Sequence, residues 1–195
     1  KEWLAQQTTI SNVKDIQNNQ VPNNLWYPWK NFEELKPMDE KQLKQWSTWS
    51  APFMPSGAIT AARTDQKHWL TFGVDEQLPI LTDQVPLFMT KGDAESIVRF
   101  GVLVNNSKAK EQQIGWATIP EGQDIYLRMS GLLWPEAAQR ISNAAYLTRE
   151  QKGAGQIIFF ATSPNFRGAT KGTARLLLNA IVYGPGLGAY SAINL

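Results

Sequence analysis

The chain contains no cysteine. A disulfide framework, a thiolate zinc site and a cysteine nucleophile are therefore impossible within it. Histidine is scarce too: His68 is the single one in 195 residues. Histidine is the most frequent general base and a common zinc ligand. A zinc site of one Glu and two His cannot be built here, and a Ser-His-Asp triad could draw only on His68. That residue lies between Lys67 and the pair Trp69-Leu70, which assigns it a structural or exposed role. No apolar run reaches the ~18 residues of a membrane span. A dominant charge is also missing. The net charge of +2 implies no general attraction to nucleic acid. No signal peptide is read at the start, because residues 1–7 already look helical. The expectation is a fragment or a processed form.

What is present suffices for a packed core, with 43% apolar residues. The length fits one domain, or one domain with an appendage. Residues 1–50 read as a partial N-terminal helix followed by an irregular, aromatic-rich segment. Residues 51–195 read as the main α/β domain. Ala58 to Arg63 and Ser96 to Val104 read as strands. Leu78-Pro79-Ile80-Leu81 and Val85 to Met89 each carry an internal proline, which places them at sheet edges or outside the ladder. Pro135 opens a short helix at the position proline favours. Ala144 to Thr148 is a further strand.

The clearest signal is in the last third. Ile157 to Ala161 is a continuous apolar run, as a strand covered on both faces needs. A polar loop follows, with Ser163-Pro164-Asn165 and Arg167-Gly168. Ala174, Leu177, Leu178 and Ile181 then recur at helical spacing, which predicts a helix docked on that strand. Gly184-Pro185 predicts its end. Residues 151–195 hold Lys152, Arg167, Lys171 and Arg175 and no acid. These cations read as a solvated helix face.

The eight tryptophans form no regular stripe. Core packing, a partner-domain interface and sugar stacking all use such rings. Trp26, Trp29, Trp46 and Trp49 lie in the least regular stretch and are the best interface candidates.

Several passages, taken in order, resemble one family pattern. Ser56-Gly57-Ala58-Ile59, then His68-Trp69-Leu70-Thr71-Phe72-Gly73, resemble "P-G-A-I … H-P-L-T-F-G". Leu78-Pro79-Ile80-Leu81 and Val85-Pro86-Leu87-Phe88 fit "L-P-V … P-V-F". Ser130-Gly131-Leu132-Leu133 fits "S-G-Y-L". Gly153 to Phe160 fits "G-x-G-R-V-V-L-F". Pro164-Asn165-Phe166-Arg167-Gly168, with Gly172 to Ala180, fits the closing passage. This pattern is that of the C-terminal, class I glutamine amidotransferase-like domain of large zinc carboxypeptidases (carboxypeptidase A-like metallopeptidases). The match spans about residues 50–185, and residues 1–7 resemble a helix of the same domain. Two departures stand out. Trp69 replaces a usual proline, and Gln6 to Ser11 is polar where an apolar strand is the rule.

The resemblance implies an α/β, three-layer flavodoxin-like domain with flanking helices, lacking its first β/α units. It implies a non-catalytic accessory role beside the peptidase domain of the same polypeptide. It also implies a periplasmic or extracellular location. Zinc is expected in the peptidase domain and no cofactor in this chain. The peptidase His-x-x-Glu motif has no counterpart here, and the amidotransferase nucleophile is a cysteine, so the class name describes fold and not activity. A second reading makes Asn165, Arg167, Thr170 and Lys171 an anion site, helped by backbone N–H groups at the start of the last helix. Its structural alternative has Thr170 capping that helix, Arg167 tied to its own loop and Lys171 solvated.

Overall fold

Alternation of small or apolar residues with polar ones lays out the strands. Ala58, Thr60 and Ala62 are buried along β1 (Ser56–Thr64), and Leu78, Ile80 and Thr82 along β2 (Gln77–Asp83). The computed structural model describes residues 56–83, 90, 93–114, 117–168 and 170–187, with Glu40, Lys41 and Lys44. The sequence expectations for residues 1–7, for Trp26, Trp29, Trp46 and Trp49, and for Val85 to Met89 lie outside the described residues.

The remaining strands among the described residues are β3 (Ala94–Phe100), β4 (Val102–Asn105), β5 (Gln112–Ile114), β6 (Ala117–Ile119), β7 (Gln123–Tyr126), β8 (Arg128–Ser130), β9 (Ala145–Lys152) and β10 (Gly155–Phe160). The helices that close this part of the fold are α1 (Pro135–Ile141) and α2 (Lys171–Leu187). The main sheet runs β10-β9-β3-β1-β2, and β8 also pairs with β1. Two ribbons, β4-β7 and β5-β6, stand beside it.

Every strand pair among the described residues is antiparallel. The broad class, a sheet with helices, agrees with the sequence. The expected flavodoxin-like layering does not appear in these residues. Parallel neighbours need crossovers of about a dozen residues, usually helical. Here β9 turns into β10 through Gly153, which has φ 58°, and register continues from Gly155 opposite Lys152. Such a tight turn fixes an antiparallel hairpin.

The strand covered on both faces is β9, where Ala145 to Thr148 are all buried. The apolar run 157–161 was expected in that place. Instead β10 forms the sheet edge among the described residues. Ile158 and Phe160 pack on the core, while Ile157 and Phe159 are exposed. Proline marks the other edge correctly, with Pro79 in β2. Gly101 is required where β3 ends. It has φ 88°, and a Cβ there would overlap the Ile125 side chain. The chain turns at this point from the main sheet into the β4-β7 ribbon.

Helix α2 closes the core, with a face other than the expected one. Thr173, Leu176, Asn179 and Gly184 are buried. Leu178 and Ile181 are exposed, at 47% and 65%, and Leu177 is half-buried. The helix also continues past Gly184-Pro185 to Leu187. Gly184 lies under Trp69, and its carbonyl accepts a hydrogen bond from Gln156 Nε2 at 2.8 Å. That side-chain donor serves a carbonyl near the helix end, where main-chain partners run out. In the core, the Tyr146 ring meets Phe100 and Phe160 edge-on, with centroids 5.7 and 6.1 Å away.

Candidate functional site

The polar residues converge most clearly on the 3-10 turn Trp69–Thr71. Asp65 starts it, accepting the Lys67 N–H on its side chain. The Thr71 hydroxyl donates back to the Asp65 carbonyl at 2.7 Å. Such side-chain bonds to nearby backbone stabilise a turn locally. His68 caps it: Nδ1 accepts the Leu70 N–H at 3.1 Å. Nε2 faces the Glu95 carboxylate at 3.5 Å. With Nδ1 accepting, the proton sits on Nε2. Both ring nitrogens are engaged, so no basic lone pair is offered to a substrate. Burial, with a further push from Arg149, holds the imidazole below its ordinary range, although Glu95 and Asp65 pull upward.

Glu95 links this turn to the sheet. Its Oε2 accepts from Arg149 at 3.0 Å, and Arg149 also donates to Gln156 and Gln151. Gln156 in turn holds the Gly184 carbonyl. The turn is locked from the other side by α2. Asn179 Nδ2 donates to the carbonyls of Leu70 and Phe72, both at 2.8 Å. Arg175 Nε donates to the Phe72 carbonyl at 3.3 Å. The passages 68–73 and 172–180, both part of the family resemblance, thus form one joint. Its donors, Asn179 Nδ2 and Arg175 Nε, are spent on backbone carbonyls, while the buried Asn179 Oδ1 has no partner among the described residues.

The second sequence expectation concerned the loop before α2. Arg167 adopts φ 50° and Gly168 φ 65°, so the chain makes a left-handed turn there. The Arg167 guanidinium lies over the ring of Phe166, 5.1 Å from its centroid. Asn165, Arg167 and Lys171 are exposed. Thr170 takes the capping position: its carbonyl accepts the Ala174 N–H, and its hydroxyl pairs with the Thr173 hydroxyl. Thr173 further donates to the Pro164 carbonyl. The structure therefore gathers Thr170, Thr173 and Pro164. Arg167 stacks on its own neighbour, and Arg175 points to the Phe72 carbonyl instead of joining it. Beneath this loop the Tyr146 hydroxyl is buried beside Thr162 and Thr173, and burial pushes it up to about 12.

Among the described residues, no group of three or more His, Asp or Glu is placed to hold a metal ion. No described helix is long and apolar enough to cross a membrane. Sequence reasoning missed the joint of Leu70, Phe72, Arg175 and Asn179. Its signal was an amide at position 179 within an apolar helical stretch, where a buried polar group demands a partner.

No protein-family model, no curated protein and no solved structure matches the chain.

Proposed function

We propose that this chain is a non-catalytic accessory domain of a zinc carboxypeptidase, packing on the peptidase domain of the same polypeptide. The carrying observation is the two-sided character of α2. One side is spent on the core, through Thr173, Leu176 and Asn179. The other presents Leu178, Ile181 and Val182, at i, i+3 and i+4, with exposures of 47%, 65% and 57%. An apolar stripe at that spacing is what a helix buries. A contiguous exposed apolar surface marks an interaction site. The family resemblance names the occupant as the adjoining peptidase domain.

The non-catalytic role draws support from chemistry. His68 is fully engaged as a cap, and the chain has no cysteine. Zinc and peptide cleavage then reside in the peptidase domain, with a periplasmic or extracellular location as the family implies. Full-length protein carrying Ile181→Lys and Val182→Lys tests this reading. The expected result is a lower peptidase melting temperature, with this domain still folded. A peptidase domain indifferent to the pair would contradict it. A change confined to self-association would assign the stripe to a second copy of the chain.

A further inference from the structure

We propose that Arg63 and Arg99 form a binding site for one small oxyanion, a carboxylate or a phosphate-type group. The two arginines are direct cross-strand partners, Arg63 on β1 opposite Arg99 on β3. Like charges in that relationship repel and destabilise the pair. Both side chains are only partly exposed. Burial holds both guanidiniums below their ordinary range, and Arg99 adds to the effect on Arg63. Neither meets a carboxylate among the described residues. Arg149 provides the contrast, since that half-buried arginine is paired with Glu95. A partly buried cation is ordinarily paired, and here two stand together with no acid beside them among the described residues.

Their positions are fixed by neutral acceptors. Arg63 donates to the Gly101 carbonyl at 2.7 Å and to Asn143 Oδ1. Arg99 donates to the Asn143 carbonyl at 3.2 Å. Asn143 thus holds one guanidinium on its side chain and the other on its backbone. It does so from the left-handed region, at φ 60°, where a non-glycine residue is uncommon. Its N–H is anchored on the Phe100 carbonyl at 3.0 Å, and the Phe100 N–H on Ala144. Carbonyl dipoles orient the two forks but do not cancel their charge. The unused N–H groups of two oriented guanidiniums are the donor set that planar or tetrahedral oxyanions accept. The site is separate from the 165–171 loop and independent of the accessory-domain reading.

Thermal unfolding of the intact chain in phosphate, sulfate and acetate, each against chloride at matched ionic strength, tests the proposal. A saturable rise in Tm is expected, about 5–10 °C at ~100 times the dissociation constant. Arg99→Gln loses the rise and Arg167→Ala keeps it. Acetate matching phosphate assigns the carboxylate class; a response to phosphate and sulfate alone assigns the tetrahedral class. Should Arg99→Gln fail to fold, the arginine Nε–Hε NMR signals of the unaltered chain decide, because those of Arg63 and Arg99 must shift and saturate with phosphate. No saturable gain over chloride, a gain that survives in Arg99→Gln, or unmoved Arg63 and Arg99 signals would overturn the proposal.

Discussion

Asn179 in α2 donates its side-chain amide to the Leu70 carbonyl at 2.8 Å, across 109 residues of sequence. Asn179 is 1% exposed and Leu70 fully buried. This bond, doubled by the one to Phe72, positions the closing helix on the 3-10 turn. A buried carbonyl deprived of its donor costs about 1–3 kcal/mol. Asn179→Ala is therefore expected to lower stability by about 2–3 kcal/mol in urea unfolding. Asn179→Asp cannot donate to either carbonyl and is expected to cost at least as much. Wild-type midpoints in both variants would show that the joint is not formed in solution.

The helix faces give a paired prediction. Leu176 is fully buried and Leu178 is half exposed. Leu176→Ala should cost about 2–5 kcal/mol, as for other core leucines. Leu178→Ala should stay within about 0.5 kcal/mol in the isolated chain. Equal losses at both positions would restore the helix orientation that the spacing of Leu177, Leu178 and Ile181 suggested.

Acid sensitivity should trace in part to His68. Its folded value is held below 6.5, so below that pH the unfolded chain binds the proton more readily. Stability then rises with pH. The contribution is complete above 6.5 and is lost as pH falls through the folded value. Asn at position 68 can still accept the Leu70 N–H, since Asn is a favoured cap. The decline in Tm from about pH 7 to about pH 5 should be shallower in His68→Asn than in wild type. Parallel profiles would remove His68 as the cause.

Much of the scaffold was legible in the sequence. β1, β9 and α1 follow from apolar runs and from Pro135, and Pro79 marks an edge; the run 96–104 reads as one strand but is broken at Gly101 into β3 and β4. The facing of β10 was not legible, because the apolar run 157–161 looks the same at an edge as in a sheet centre. The facing of α2 was hidden for a related reason. Its stripe at 178, 181 and 182 is as apolar as a core face, while the face that docks carries Thr173 and Asn179, whose burial depends on acceptors supplied by residues 70 and 72 and by Pro164. Sheet topology was concealed because a strand–loop–helix unit reads alike in parallel and antiparallel settings. Among the candidate anion residues, the capping position of Thr170 was legible. The stacking of Arg167 depends on a left-handed backbone that composition alone does not specify.

That left-handed turn supports its own test. Arg167→Gly removes the strain and the ring contact together, so stability should stay within about 1 kcal/mol of wild type. Arg167→Val places a branched side chain at φ 50° and should cost about 1–2 kcal/mol. A valine variant as stable as the glycine one would mean that the loop adopts another conformation in solution.

The most direct test of the accessory-domain account is a side-by-side assay of C-terminal amino-acid release. The full-length polypeptide and the isolated 195-residue chain are compared with chelator and with zinc restored. The account predicts release by the full-length protein, loss with chelator and recovery with zinc, and none by the isolated chain under any condition. Turnover by the isolated chain, or a full-length protein with no zinc-dependent release, would contradict it.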